Sequence, residues 1–231
     1  MKWRGALLAL AVLLVFQGGE QRAEANELLR NDPTELLVNA AAQGDLSSVQ
    51  RQLAARIDPN VASKSLSLAL PLVQAAANGH GGIVSALLRA GALVDGRDGR
   101  GQRAIVVAAY HGRLDVCRQL LAAGARVETA PAIADELTPL VAGVMSGNVP
   151  TTELLLQAGA PLSTTHPSGR NALVVAARIG NEKMVATLLD ALAKQVARSD
   201  ANLRLLALAR DEAAQAKHAS VVSLIEQRIA R

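Results

Sequence analysis

Four histidines and one cysteine are the side chains of this sequence best suited to bind a metal ion or act as nucleophiles. His80, His111, His166 and His218 lie far apart in the sequence, and Cys117 is the only cysteine. Metal sites bring such ligands together at short spacing, commonly with carboxylate or cysteine partners. The spacing therefore predicts no metal site and no cofactor, and a lone cysteine permits no internal disulfide.

A glycine-rich segment, Gly99 to Ala104, matches the loose dinucleotide-binding pattern Gly-x-Gly-x-x-Ala. That pattern has meaning only between a buried strand and a long helix. The preceding residues 93–96 are too few and too polar for such a strand, so a loop is the better interpretation. No serine-hydrolase elbow, His-Glu-x-x-His pair or phosphate-binding loop is present either. We therefore predict no catalytic residues and no enzyme, with an undetected site as the alternative.

Internal repetition organises most of the chain. Five glycines, Gly44, Gly79, Gly112, Gly147 and Gly180, are separated by 35, 33, 35 and 33 residues. An apolar, alanine-rich stretch precedes each of these marker glycines, and a second apolar segment follows it. Glycine suits a helix end because it accepts the left-handed backbone conformation. Each unit is predicted to be a short first helix, a tight turn at the marker glycine, and a longer antiparallel second helix.

These units resemble ankyrin repeats, which have the same length and two-helix design. The matching residues include Asn78-Gly79-His80, the Gly91-Ala92 stop, the Thr-Pro-Leu start at 138–140 and the Asp-x-x-Gly hairpin from Asp98 to Gly101. The resemblance implies an all-α solenoid of stacked helix-turn-helix units joined by hairpin loops. One departure recurs, because the histidine that normally follows Thr-Pro-Leu is valine in all five units: Val38, Val73, Val106, Val141 and Val174.

The repeat register divides the chain into eight segments. They are a signal peptide (1–25), an N-terminal lead-in (26–33), five repeats (34–66, 67–98, 99–133, 134–166 and 167–200) and a degenerate capping repeat (201–231). The last segment mixes charged and apolar residues. An amphipathic closing unit with a polar outer side is what a stack of repeats requires.

The first 25 residues have the features of a secretory signal. Lys2 and Arg4 precede an uncharged apolar run of 12 residues, Gly5 to Phe16, and Ala23-Glu24-Ala25 offers a cleavage site. Twelve apolar residues are too few to span a bilayer core of roughly 30 Å. We therefore expect cleavage after Ala25 and a bacterial periplasmic protein without a stable membrane anchor. An uncleaved anchor or a buried helix is the alternative.

Charge and aromatic content argue against a nucleic-acid partner. The formal net charge is only +4, and Tyr110 is the single aromatic residue after the signal segment. Nucleic-acid proteins use dense basic stripes and aromatic stacking platforms. We expect a monomer whose partner is another protein.

Cys117 lies five residues after its marker glycine, a position that is mostly valine in the other units. This position predicts a buried, inert thiol, with a redox or covalent role as the alternative. The equivalent residues are Val49, Val84, Thr152 and Val185.

Family analogy places partner contacts at the hairpin tips and at the two variable positions before each marker glycine, along a concave surface. Those positions include Ala42-Gln43, Ala77-Asn78 and Arg178-Ile179. Tyr110 is the best single candidate, because tyrosine and arginine often dominate binding energy, although it could instead pack on a neighbouring repeat. The predicted protein-binding residues are Asn78, Arg97, Arg100, Gln102, Tyr110, His111, Met145, Ser146, Arg170 and Arg178.

The leading functional prediction is a periplasmic protein-binding module without activity of its own, whose partner is a toxin, an enzyme or an envelope protein. A cell-envelope scaffold that binds lipid or peptidoglycan is the alternative, supported only by the mild basic excess.

Overall fold

The computed structural model describes residues 32–64, 68–127, 137–162, 171–195 and 200–230. Within these ranges the chain forms twelve α-helices and no strand, which confirms the all-α prediction. The helices are α1 (Pro33–Gln43), α2 (Leu46–Ala54), α3 (Pro71–Asn78), α4 (Gly81–Arg89), α5 (Ala104–Tyr110), α6 (Leu114–Ala122), α7 (Pro139–Met145), α8 (Val149–Gln157), α9 (Ala172–Ile179), α10 (Glu182–Gln195), α11 (Asp200–Gln215) and α12 (Ala219–Ile229).

Consecutive helices pair into six units, and the units stack. The first helices α1, α3, α5, α7, α9 and α11 contact one another in chain order, and the second helices form a parallel row in the same order. Each unit thus buries its faces against its neighbours, and one continuous apolar core runs through the stack. This arrangement confirms the predicted repeat solenoid. We number the units 1 to 6 from the N-terminal end.

The tight turns occur where the glycine register predicts them. All five marker glycines have positive φ angles, from 63° at Gly112 to 84° at Gly44. In unit 6 Lys217 takes the same conformation, with a φ of 64°. The second helices of units 2, 3 and 4 end at glycines with φ near 90°, whereas Arg56 takes that place in unit 1 with a φ of 61°. The left-handed backbone conformation at these helix ends is therefore kept even where another residue replaces glycine.

The predicted order of a short helix followed by a longer one is wrong for unit 1, where α1 has 11 residues and α2 has 9. α1 is longer because it begins eleven residues before its marker glycine, whereas α3, α5, α7 and α9 begin eight residues before theirs. Asp32 accepts a hydrogen bond from the Thr34 backbone amide (2.9 Å), and Pro33 occupies the first helical position, where its missing N–H is not needed.

Cys117 is fully buried in α6, as predicted. Burial raises the pKa of its thiol to about 12, because the thiolate would be removed from water. The thiol is therefore neutral and inert in the folded chain at ordinary pH. Its four equivalents in the other units are also buried, so this position belongs to the seam between the two rows of helices.

The exposed surface of the last unit mixes polar and apolar side chains, and Leu203 and Leu208 of α11 are both exposed. Units 1 to 5 have a buried leucine or isoleucine seven residues before the marker glycine. Unit 6 has Arg210 at the equivalent position, seven residues before Lys217, and its guanidinium donates a hydrogen bond to Asp211. Ala213 of the same helix is buried against unit 5, and Ala214 on the far side is exposed. These positions suit a terminal unit, since no further repeat covers them.

Candidate protein-binding surface

The hairpin between units 2 and 3 presents Arg100 at its tip. The Asp98 carboxylate accepts hydrogen bonds from the backbone amides of Arg100 and Gln102, each at 2.9 Å, and the Gly101 amide donates to the Asp98 carbonyl (2.8 Å). The Arg97 side chain also donates a hydrogen bond across the hairpin, to the Gly101 carbonyl oxygen at 2.7 Å. The glycine-rich segment is thus a hairpin that leads into α5, which agrees with the loop interpretation and not with a nucleotide-binding turn.

A buried arginine joins this hairpin to the start of the next connecting segment, at Arg126. The Arg103 side chain is 1% exposed, and its Nη1 lies 3.0 Å from the Arg126 carbonyl and 3.6 Å from the Asp95 carboxylate. The exposed Arg126 guanidinium also donates to Asp95, at 2.9 Å. A carboxylate between two guanidinium groups fixes the relative position of the two loops. Sequence reasoning missed this role of Arg103.

Arg103 belongs to a column of buried side chains that lies nine residues before each marker glycine. In unit 1, Glu35 occupies this position and accepts hydrogen bonds from the Ser63 hydroxyl and the Lys64 amide, both at 2.6 Å. In unit 5, Asn171 donates to the Leu162 carbonyl at 2.6 Å. These polar side chains hold the connecting loops, and alignment of the units on their marker glycines would have revealed them. The column reads Glu35, Leu70, Arg103, Thr138 and Asn171.

The opposite end of each first helix forms what we call the turn edge: the four-residue turns 42–45, 77–80, 110–113, 145–148, 178–181 and 215–218. Three large apolar side chains are exposed along it in consecutive units, namely Tyr110 (45%), Met145 (36%) and Ile179 (47%). Units 1 and 2 carry alanine, glutamine or asparagine at these positions. Ile179 was among the variable positions but not among the predicted binding residues. The apolar row is therefore confined to units 3 to 5.

The predicted binding residues fall into two groups. Arg97, Arg100 and Gln102 lie at the hairpin, and the others that the structure describes lie at the turn edge. The groups are separated by the length of a first helix, roughly 10 Å for seven residues. Arg170 lies outside the described residues.

Within the turn edge, the side chains differ in how far they are engaged. The His111 ring packs edge-on against Tyr110, with centroids 5.3 Å apart. The Ser146 hydroxyl donates to the Gly143 carbonyl at 2.6 Å, so it already has a structural role. Asn78 likewise donates to the Gln74 carbonyl at 3.1 Å. The exposed Arg178 guanidinium has no such partner among the described residues.

Side chains at the end of four of the turns connect neighbouring units by a contact with a backbone carbonyl. His80 Nε2 lies 3.2 Å from the Ala42 carbonyl oxygen of unit 1, and His218 Nε2 lies 3.2 Å from the Arg178 carbonyl oxygen of unit 5. Arg113 donates to the carbonyl of residue 77 at 3.1 Å, and Asn148 donates to the carbonyl of residue 112 at 3.3 Å. Two of the four histidines therefore have a structural role at unit seams.

No group of three or more histidine, cysteine, aspartate or glutamate side chains comes together as a metal site within the described ranges. An open hollow of about 440 Å³ lies between α8 and α10, away from every predicted site residue. Its lining residues are Glu153, Leu156, Gln157, Thr187, Asp190, Ala191 and Lys194. The hollow lies on the second-helix side, opposite the row of first helices.

Comparison with known families agrees with this architecture. A family model of ankyrin repeats, in three copies, matches residues 37–131. The chain thus contains ankyrin repeats at residues 37–131, and paired helices of the same design continue beyond the matched region to residue 229. Ankyrin repeats are protein–protein interaction modules and are generally non-catalytic. In the part of the chain that the structure describes, no helix is long and apolar enough to cross a membrane.

Proposed function

We propose that this chain is a non-catalytic, periplasmic module that binds a partner protein through its turn edge and hairpin tips. The observation that carries the proposal is the exposed row formed by Tyr110, Met145 and Ile179. Large apolar side chains aligned on a surface indicate an interaction site, whereas scattered ones do not. Tyrosine, methionine and arginine are also enriched in the cores of protein interfaces.

Tyr110 provides the sharpest test of this surface. The partner is first captured from periplasmic extract on the immobilised chain, and its affinity for variants is then measured. Tyr110→Ala should reduce binding by about 2 kcal/mol or more and leave the melting temperature nearly unchanged. Leu208→Ala is the matched control, because Leu208 is an exposed apolar residue outside the turn edge. Loss of thermal stability with unaltered affinity would show that Tyr110 is a packing residue and would contradict the proposal.

The periplasmic location is supported by the sequence of the first 25 residues. Expression of the full gene in a bacterium, followed by fractionation and N-terminal sequencing, should give a periplasmic product that begins at Asn26. A product that retains residues 1–25 and stays with the membrane or the cytoplasm would refute this part of the proposal. The protein-binding part would stand, because it does not depend on the compartment.

A further inference from the structure

The turn edge of units 3 to 6 is positively charged. Its sixteen residues include Arg113, Arg178 and Lys217, the histidines 111 and 218, and no aspartate or glutamate. All three cationic side chains are exposed. The Arg113 Nε donates a hydrogen bond to a backbone carbonyl of unit 2. The side chains of Arg178 and Lys217 form no hydrogen bond or ion pair with the described residues.

Carboxylates on the adjoining first turns of the second helices do not cancel this charge. Asp115 pairs with Arg118 at 3.2 Å. Glu182 is followed directly by Lys183, and both are exposed. These two acidic and two basic residues balance. Glu212 in the last turn of α11 offsets one cation, so the turn edge of units 3 to 6 keeps a net positive charge. An anionic partner is favoured there, since complementary charge speeds association and sets register.

The opposite end of the turn edge has the reverse charge. In unit 1 the turn ends at Asp45, whose carboxylate caps α2. Hydrogen bonds from Ser48, and then from the Ser47 hydroxyl, hold the pKa of the Asp45 carboxyl well below its usual range. This carboxylate is therefore ionised at neutral pH, and it disfavours an acidic ligand at unit 1. The charge gradient thus directs such a ligand to units 3 to 6.

The apolar row sets a length scale for the same ligand. Packed helices lie about 8–10 Å apart, so Tyr110, Met145 and Ile179 follow one another at steps of roughly that size. An extended segment advances about 3.3 Å per residue, so every third side chain meets the next unit. A helical ligand advances about 1.5 Å per residue, so its apolar side chains would have to recur every six or seven residues to meet successive units.

We propose that the turn edge of units 3 to 6 binds an acidic segment of another protein, whose apolar side chains recur about once per unit and contact the row in turn. The carboxylates of that segment pair with Arg178 and Lys217. This inference rests on the proposed function and adds the chemistry of the partner to it.

A random-peptide library displayed on phage tests the proposal without knowledge of the natural partner. Selection on the full chain should enrich peptides that contain aspartate or glutamate together with aliphatic or aromatic residues. Synthetic versions of the enriched peptides should bind about tenfold more weakly to the double variant Arg178→Glu, Lys217→Glu. The charge-matched control Arg51→Glu, Arg89→Glu changes two exposed arginines on α2 and α4 and should have little effect. Added salt should weaken binding to the unaltered chain.

The possible results separate this inference from the proposed function. Peptides that lose affinity on Tyr110→Ala, yet lack carboxylates or ignore the charge reversal, would overturn the acidic-segment proposal and leave protein binding at this edge intact. Peptides insensitive to Tyr110, Met145 and Ile179 would refute the surface itself. An empty selection, with binding to phosphatidylglycerol vesicles that Arg178→Glu abolishes, would assign the cations to a membrane and overturn the proposal.

Discussion

Four seams between neighbouring units are latched at the turn edge, and the seam between units 4 and 5 is not. At the four latched seams, a side chain of the later unit reaches a carbonyl oxygen of the earlier one, with heavy-atom separations of 3.1 to 3.3 Å. At the remaining seam, Asn181 makes no such bond among the described residues. The outer side of that seam also contains the hollow between α8 and α10.

The difference does not come from the residue type. Asn148 and Asn181 occupy the same position, and each accepts a hydrogen bond at 3.0 Å from the amide three residues later. A Cβ on Gly112 would lie 3.1 Å from the Asn148 side chain, whereas one on Gly147 would meet nothing described within 4 Å. The Asn181 side chain therefore does not approach Gly147 in the way that the Asn148 side chain approaches Gly112.

Unit 4 also departs most from the residue types that the other units use in their buried positions. Gly143 stands in the middle of α7 where the other first helices have alanine, and glycine lowers helix stability by about 1 kcal/mol relative to alanine. Thr151 and Thr152 occupy buried positions of α8 that are mostly apolar elsewhere. The Thr151 hydroxyl has no hydrogen-bond partner in the structure as described. We therefore expect unit 4 to be less stable than its neighbours, although it shares their repeat length.

Leu→Ala substitutions at equivalent core positions of units 3 and 4 should show the largest difference in the free energy of unfolding. Leu120 in unit 3 and Leu155 in unit 4 are both fully buried, eight residues after their marker glycines. Leu→Ala changes at such sites cost about 2–5 kcal/mol, and the cost depends on how far the surroundings can relax. We expect Leu120→Ala to fall at the upper end and Leu155→Ala at the lower end. Urea unfolding of both variants measures the difference, and equal costs would argue against a weaker unit 4.

Replacement of Thr151 by valine should stabilise the chain, in contrast to most core substitutions. The change removes a buried hydroxyl without a partner and keeps the side-chain volume, so we expect a gain of about 1 kcal/mol in the free energy of unfolding. The reverse change in unit 3, Val116→Thr, should lose about 1–3 kcal/mol. A destabilised Thr151→Val variant would mean that the hydroxyl is satisfied in solution.

A comparison of alanine substitutions at Asn148 and Asn181 measures the contribution of the inter-unit hydrogen bond to stability. Asn148→Ala and Asn181→Ala both remove a helix cap, at a cost of about 1 kcal/mol each. Only Asn148→Ala also removes an inter-unit hydrogen bond, which adds about 0.5–1.5 kcal/mol. Thermal or urea unfolding should therefore rank Asn148→Ala as the more destabilised variant. The opposite ranking would show that the Asn181 side chain carries a contact of its own.

The rate at which a buried cysteine is labelled should differ between units 3 and 4. Cys117 and Thr152 occupy equivalent buried positions, so Thr152→Cys in a Cys117→Val background moves the thiol from unit 3 to unit 4. Because burial raises the pKa of Cys117 to about 12, labelling at mildly alkaline pH requires local opening. We expect at least about tenfold faster labelling in unit 4, which corresponds to roughly 1.4 kcal/mol of easier opening. Equal rates would remove the distinction between the two units.

The same pKa shift sets the direction of one pH effect. The raised pKa in the folded chain means that the unfolded thiol ionises first as the pH rises. Cys117 therefore contributes stability below its ordinary pKa of 9.0 and loses that contribution between pH 9.0 and about 12. The Cys117→Val variant should show a smaller decline in the free energy of unfolding over this range. An identical decline in both chains would contradict the assignment.

The sequence predicts the repeat fold well, because glycine turns and apolar periodicity are local signals. The burial of Cys117 and the hairpin at Asp98 follow from the register in the same way. The roles of Glu35 and Arg103 do not, since burial of a charged side chain depends on loop contacts distant in sequence. The seam between units 4 and 5 could not be predicted from the sequence, because positions 148 and 181 are both asparagine and yet only Asn148 reaches the preceding unit. At the candidate site, residue types predict Tyr110, but the exposure of Ile179 required the structure.

Native-state hydrogen exchange of the free chain tests most directly whether the seams hold the units unequally. Amides of α9 to α12 should open as a group at a lower free energy than those of α3 to α6, because only the unlatched seam joins units 5 and 6 to the rest. Exchange in α7 and α8 should be fastest around Thr151. Uniform protection across α3 to α12, with one opening free energy for all of them, would contradict the unequal stack.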